Sequence, residues 1–370
     1  MRFEVTRALD AVERRLSTDP LLTGAVIDLR EVVRLVDLDG GRPANLLRVG
    51  MVIDALSRRL GDGGVSLYPV AARGLLSDTD LTSNERMVIR RWSDDGRVEV
   101  VPADVAALGR ICEVAGLTGQ PVITRAPLPG YTGVRFAPVA AAGGAALDGG
   151  GVGTTPSRHA VLGRRWRCPV ADCPSFGLTA GPFSGGASRD GGQPPPHLAA
   201  GGVPCCPRHG ERLVDEGPRA PAVPMIARVG GMVRERFVVI EGAPVVVGRS
   251  PDEGDGVVLG PYLDDEAVRW VSRNHLRLEL HGDELRVTDL STNGTVLLGR
   301  SGPRDTPRPV GLSRDHAHRV GEWDLLQLHQ GVEVSRADRD FRPAMAGQPE
   351  SSVMGDAPTI AMRLPGPPSR

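Results

Sequence analysis

A chain of 370 residues has room for two or three domains. Its 44 Lys and Arg against 45 Asp and Glu leave no global basic field of the kind that holds nucleic acid. With 48 Gly, 32 Pro and only 4% aromatic residues, much of it connects rather than packs. The start, Met1-Arg-Phe-Glu-Val-Thr-Arg7, lacks the apolar run of a signal peptide. The longest uncharged stretches, 173–188 and 191–207, are Gly- and Pro-rich and too short and polar to span a bilayer. These features predict a cytoplasmic protein with no membrane partner.

Residues 3–18 read as a charged amphipathic helix, and Ala25-Val-Ile-Asp28-Leu29 as a short buried strand ending in a carboxylate. Asn45 sits where an N-cap would open a helix, and Leu46, Val49, Ile53, Leu56 and Leu60 follow on one apolar face. A strand at 65–70, a helix at 85–92 and a strand at 98–101 come next. Asp104 opens a further helix with Val105, Leu108, Ile111, Cys112 and Ala115 inward, and 121–124 is a fourth strand. Strands alternating with helices predict a parallel α/β sheet.

In such a sheet ligands bind beyond the carboxyl ends of the strands. Asp28 stands at one such end and Asp104 follows another. Paired carboxylates there suit a divalent cation and phosphodiester hydrolysis; the plainer reading is a solvated strand end and an N-cap. Asp28, the segment Asp39-Gly-Gly-Arg-Pro-Ala-Asn45 leading into a helix, and Asp104 resemble the PIN/NYN-type nuclease fold over residues 1–135. The resemblance implies Mg2+ or Mn2+ and an RNA substrate if the site is complete. Members carry a further Asp after the last core strand. Here that place reads Thr124-Arg125-Ala126-Pro127, which favours an inactive or altered domain. Asp78 and Asp80, in a loop, are the available replacements.

Residues 136–160 read as a flexible linker. The five cysteines are Cys112, Cys168, Cys173, Cys205 and Cys206, an odd count that argues against a disulfide framework. Cys168-x4-Cys173 and Cys206-x2-His209 each form a tight turn able to present two ligands. Three thiolates and an imidazole suit a structural zinc, which would let the core-poor segment 161–220 fold as a zinc-ribbon-like unit around a disordered loop. The alternative is surface thiols in a linker. Cys205 is a substitute ligand, and Cys112, on an apolar helix face, reads as core.

Towards the C-terminus, His275-Leu-Arg-Leu-Glu-Leu-His281 and Leu285-Arg-Val-Thr-Asp-Leu290 alternate with period two, and Asn293-Gly294 turns the chain into Val296-Leu297-Leu298. This is antiparallel β construction with its unusual polar residues at strand ends. Arg249, Ser272, Arg273, Asn274 and Thr292 offer guanidinium, hydroxyl and amide donors of the kind a phosphate dianion needs. Turn chemistry alone also places Ser, Asn and Gly there. Gly248-Arg249, Ser272-x-x-His275 and Ser291-Thr-Asn-Gly-Thr295, in this order, closely resemble the forkhead-associated (FHA) domain, a phosphothreonine-binding β-sandwich, over 225–336. The resemblance implies Arg249 and Ser272 on the phosphate, Arg273 and Thr292 assisting, and Asn293 on the ligand's main chain. It makes Gly248, His275 and Gly294 architectural. The acidic insert 251–266 departs from the pattern and is expected to lengthen a binding loop and repel acidic ligands.

Residues 337–370 read as a disordered tail. Within it, Asp356-Ala-Pro-Thr359-Ile-Ala resembles acceptor sites of bacterial serine/threonine kinases, so Thr359 is a candidate phosphosite able to occupy the chain's own Arg249/Ser272 pocket. The sequence therefore predicts a multidomain adaptor of bacterial serine/threonine-kinase signalling. Its partners would be a phosphothreonine-containing protein and the kinase that marks it. The alternative is a metal-dependent PIN/NYN-type ribonuclease recruited through its FHA domain.

Overall fold

The computed structural model describes residues 2–102, 107–125, 134–139, 144–148, 160–177, 193–252, 256–302 and 305–337. Asp104 and Thr359 lie outside the described residues.

Strands β1 (Thr23–Asp28), β2 (Ser66–Ala72), β3 (Glu99–Val101), β4 (Val122–Thr124), β5 (Val134–Val139) and β6 (Gly144–Asp148) form one sheet in the order β3-β2-β1-β4-β5-β6. The first five run parallel and β6 returns antiparallel. Alternation along each strand sends side chains to two faces. Ala25, Ile27 and Leu67 join a core with helices α1 (Arg2–Glu13), α2 (Leu29–Val33), α3 (Arg48–Leu60) and α4 (Ser83–Asp94). Val26, Tyr68 and Val70 pack instead against α5 (Ala107–Thr118). Burial on both faces is why these strands read as unbroken apolar runs. Helix α3 begins three residues after Asn45, whose Oδ1 accepts the Leu47 N–H at 3.1 Å in a turn leading into the helix.

Two sequence expectations fail here. Leu108 is 45% exposed rather than inward. Helix α5 instead turns Arg110 inward, its Nε donating to Glu99 at 2.5 Å, while the Tyr68 hydroxyl donates to the same carboxylate. A buried guanidinium must face its partners, and this rotates the apolar stripe onto Ile111, Val114 and Ala115, leaving Cys112 half-buried. The second failure is the linker expected from 136: β5 and β6 carry the sheet on to Asp148. Backbone pairing needs no bulky side chains, so Gly- and Ala-rich composition conceals it.

The cysteine-bearing segment contributes β7 (Arg164–Arg167), a hairpin of β8 (His197–Ala199) and β9 (Val203–Cys205), and β10 (Val214–Pro218), which pairs with β7. Trp166, Phe176 and Leu213 bury together with Leu117 of α5. Arg110 donates to the Pro195 carbonyl and, at 3.1 Å, to that of Pro196. Glu113 accepts the Leu198 N–H at 2.6 Å and meets His197 Nδ1 at 2.9 Å. The segment is thus docked on α5 by apolar burial and by the partners of a buried arginine.

The C-terminal region is a β-sandwich. One sheet holds β11 (Ala222–Val229), β12 (Met232–Ile240), β17 (Val296–Gly299), β18 (Arg308–Gly311), β20 (Leu325–His329) and β21 (Val332–Arg336), in the order β12-β11-β21-β20-β17-β18. The other holds β13 (Val245–Gly248), β14 (Val257–Val258), β15 (Leu276–His281), β16 (Glu284–Asp289) and β19 (Ala317–Val320), in the order β14-β13-β15-β16-β19. Leu276, Leu278 and Leu280 alternate into the core against Leu285 and Val287, with Leu326 and Val334 from the facing sheet. Arg236 of β12 pairs with the buried Asp62 of the α3–β2 turn, which joins the sandwich to the α/β region. Among the described residues no helix is long and apolar enough to cross a membrane.

Candidate functional site

Strand register gathers the marked turns on one rim of the sandwich. Val247 pairs with Leu276, so Gly248-Arg249 leaves the sheet beside 272–275. Leu276 pairs with Asp289, which puts 291–294 at the same end. The Arg249 N–H donates to the Ser272 carbonyl at 3.0 Å. A Cβ on Gly248 would stand 1.8 Å from the Arg273 carbonyl oxygen, so only glycine permits this approach.

Side chains then fix the turns. The Ser272 N–H donates to His275 Nδ1 at 3.0 Å, and the Thr292 N–H to Ser272 Oγ at 3.2 Å. Ser291 Oγ accepts the Gly294 N–H at 2.8 Å, while buried Asp289 accepts the Ser291 N–H at 3.0 Å and the Thr295 hydroxyl at 3.1 Å. Asn293 Nδ2 donates to the Trp270 carbonyl at 2.9 Å. Half-buried Arg249 donates from Nη1 to the Val268 carbonyl at 2.8 Å, within helix α6 (Asp265–Trp270). The acidic insert therefore does more than lengthen a loop. It folds into β14 and a 3-10 turn, and Asp264 caps α6 by accepting the Ala267 N–H at 2.8 Å, so the insert braces Arg249.

Arg249, Ser272, Arg273, Asn274, Thr292 and Asn293 all lie on this rim. One residue there escaped sequence reasoning. Asp252 accepts from Asn274 Nδ2 at 2.8 Å, donates its own N–H to Asn274 Oδ1 at 3.0 Å, and stands 3.7 Å from Arg273 Nη1. Pro251-Asp252 reads as any turn, and nothing in its pattern signals this contact.

His275 is fully buried and accepts through Nδ1, which leaves its proton on Nε2. Burial lowers its pKa from 6.5 to about 4. Between those values the unfolded chain binds the proton and the folded chain does not, so stability rises with pH through that window and is complete above it. Acidification from pH 7 to 4 should cost about 3 kcal/mol through this residue. Chemical unfolding of wild type and His275→Gln across this range measures it: the wild type should show the steeper loss, and parallel curves would refute it.

With this geometry in place, comparison with known proteins assigns the class: residues 245–317 match the family described as "FHA domain", and the sandwich that carries them is an FHA domain. Similar solved structures include the MEK1 FHA domain in complex with a phosphothreonine peptide of HOP1, at 21% identity and a TM-score of 0.22, covering 31% of this chain and 99% of that one. The FHA domain of human APLF in complex with an XRCC1 bisphospho peptide shows 20% identity, a TM-score of 0.22, and coverage of 30% and 97%. The FHA domain of the CT664 protein from Chlamydia trachomatis shows 19% identity, a TM-score of 0.23, and coverage of 32% and 98%. No curated protein matches the chain.

Elsewhere, Cys168, Cys173, Cys206 and His209 bring one ligand atom each to within 4.8 Å of one another. This is the one donor group at metal-ligand spacing among the described residues. Cys168 Sγ and Cys206 Sγ each lie 3.5 Å from His209 Nδ1, and Cys173 Sγ lies 3.8 Å from Cys206 Sγ. The contact with Cys206 lowers the Cys173 thiol to about 5 and raises that of Cys206. Cys205 lies outside the group, buried in strand β9, so it is not the substitute ligand the sequence allowed.

In the α/β region Asp28 does end β1, where the strand order reverses, and burial raises its pKa. Its carboxylate caps α2, accepting the Arg30 N–H at 2.8 Å and the Glu31 N–H at 3.3 Å. Glu31 accepts from Thr124 Oγ1 at 3.1 Å and from the Arg125 N–H at 3.0 Å, and the Arg125 guanidinium pairs with Asp37. Asp78 and Asp80 both hold Arg34, at 2.6 and 3.2 Å. Among the described residues, Asp28, Glu31, Asp37, Asp78 and Asp80 at this end are thus engaged by backbone N–H groups or by arginines.

Proposed function

We propose that the chain is a phosphothreonine-dependent binding adaptor in serine/threonine-kinase signalling, whose FHA domain reads a phosphorylated partner. The observation that carries this reading is the convergence of Arg249, Ser272 and Thr292 on one rim, with Ser272 Oγ already hydrogen-bonded to the Thr292 N–H. A phosphate dianion would take the guanidinium and the two hydroxyls as charge-assisted donors. Arg273 and Asn274 would join after leaving Asp252, and Asn293 would hold the peptide's main chain. The test is affinity capture by intact protein from a lysate divided before and after phosphatase treatment. Retained proteins should carry phosphothreonine and vanish from the treated half; equal retention from both halves would oppose the reading.

The metal group is read as structural zinc. Zinc–sulfur distances of about 2.3 Å and zinc–nitrogen distances of about 2.0–2.1 Å in a tetrahedron require S···S edges of about 3.8 Å and S···N edges of about 3.5 Å. The observed 3.8 and 3.5 Å fit that figure. The α/β region is read as a PIN-like scaffold serving as a rigid support, because Asp28, Glu31, Asp37, Asp78 and Asp80 are committed to backbone N–H groups and to arginine pairs.

A further inference from the structure

Trp270 ends α6 and is 45% exposed, whereas the residue that α6 buries is Ala267. The ring is nonetheless fixed. It stacks on His329, with centroids 5.7 Å apart and planes 16° from parallel. Val296 pairs with Gln327, so His329 lies at the end of its sheet where Asn293-Gly294 turns the chain. The Trp270 carbonyl accepts the Asn293 amide at 2.9 Å, and Ser272 is two residues further on. A large flat apolar face is therefore held beside the groups proposed to take the phosphate and the peptide backbone. Such a face binds at low conformational cost, because its rotamer is already set. Exposed Asp264, Asp265 and Glu266 lie on the same helix or its cap, and Glu266 approaches His329 Nε2 at 3.9 Å, which disfavours an acidic visitor.

We infer that Trp270, backed by His329, selects the bound peptide by receiving a flat apolar side chain, aromatic or proline, close to the phosphothreonine. This inference rests on the phosphothreonine reading. Full-length protein is titrated with phosphothreonine peptides in which each flanking position in turn carries Phe, Pro, Ala or Asp, alongside unphosphorylated copies. At one flanking position Phe or Pro should bind roughly three- to tenfold more tightly than Ala, with Asp weakest. Trp270→Ala should erase that preference yet keep discrimination against unphosphorylated peptides, and Trp270→Phe should restore part of it. Phosphate-dependent binding with no such preference, or one unchanged in Trp270→Ala, overturns this inference alone. Failure of the wild type to distinguish phosphorylated from unphosphorylated peptides overturns it together with the reading beneath it.

Discussion

Replacing Arg249 with alanine should weaken phosphothreonine-peptide binding at least a hundredfold while the sandwich stays folded. Each charge-assisted hydrogen bond to a phosphate contributes on the order of 1.5–3 kcal/mol, and a guanidinium supplies two such donors to one anion. The loss is large because Arg249 is held by the fold, while Arg273, the other arginine of the proposed ligand set, is exposed and paired with Asp252. Arg249 is half-buried and anchored to the Val268 carbonyl, whereas Arg273 is exposed, with a side chain 67% accessible. The fold should survive because the Arg249 backbone N–H, which joins the strand end to Ser272, remains. Calorimetric titration of both proteins with one phosphopeptide provides the check. A loss smaller than fivefold would move the phosphate away from Arg249.

Removing the proposed zinc should produce the other large effect. Structural zinc contributes about 10–16 kcal/mol to the folding of small zinc-dependent modules. Stripping it from Cys168, Cys173, Cys206 and His209 should therefore unfold residues 160–177 and 193–218, and the damage should spread. Arg110 is almost fully buried, and its Nη1 and Nη2 donate to the Pro196 and Pro195 carbonyls as well as to Glu113 and Glu99. Deprived of the two carbonyls, Arg110 exchanges two protein acceptors for water at about 0.5–1.5 kcal/mol each, and Leu117 loses its apolar cover. The expected result is one zinc per chain in protein purified without chelator, and a lowered melting temperature of the α/β region after chelation or in Cys206→Ala. Well under half an equivalent of metal, or an unchanged melting temperature, would contradict it.

How far the sequence could be read depended on where each signal was written. Period-two alternation in 276–281 and 284–289 fixed both the strands and their inward leucines, because one face of each is buried. The rim was legible because its residues fall at turns close to one another in sequence, and strand register then had little freedom to separate them. Arg110 was not legible. An arginine within an apolar helix reads as a solvated break in the stripe, and only the tertiary partners Glu99 and Tyr68 turn it inward. The strands at 134–139 and 144–148 were hidden because Pro138 and the Gly- and Ala-rich stretch after it read as a linker, whereas strand pairing is a property of the backbone. Asp252 reached the rim through the folded insert, and Trp270 and His329 meet beside it from two elements far apart in sequence, which no local pattern announces.

The proposed role requires the FHA domain to distinguish a phosphorylated threonine from the same threonine without its phosphate. Calorimetric titration of the intact protein with two peptides differing only in that phosphate tests it most directly. Saturable binding of the phosphorylated peptide, with the unphosphorylated one at least a hundredfold weaker, is the predicted result. Equal affinity for the two peptides would contradict the account.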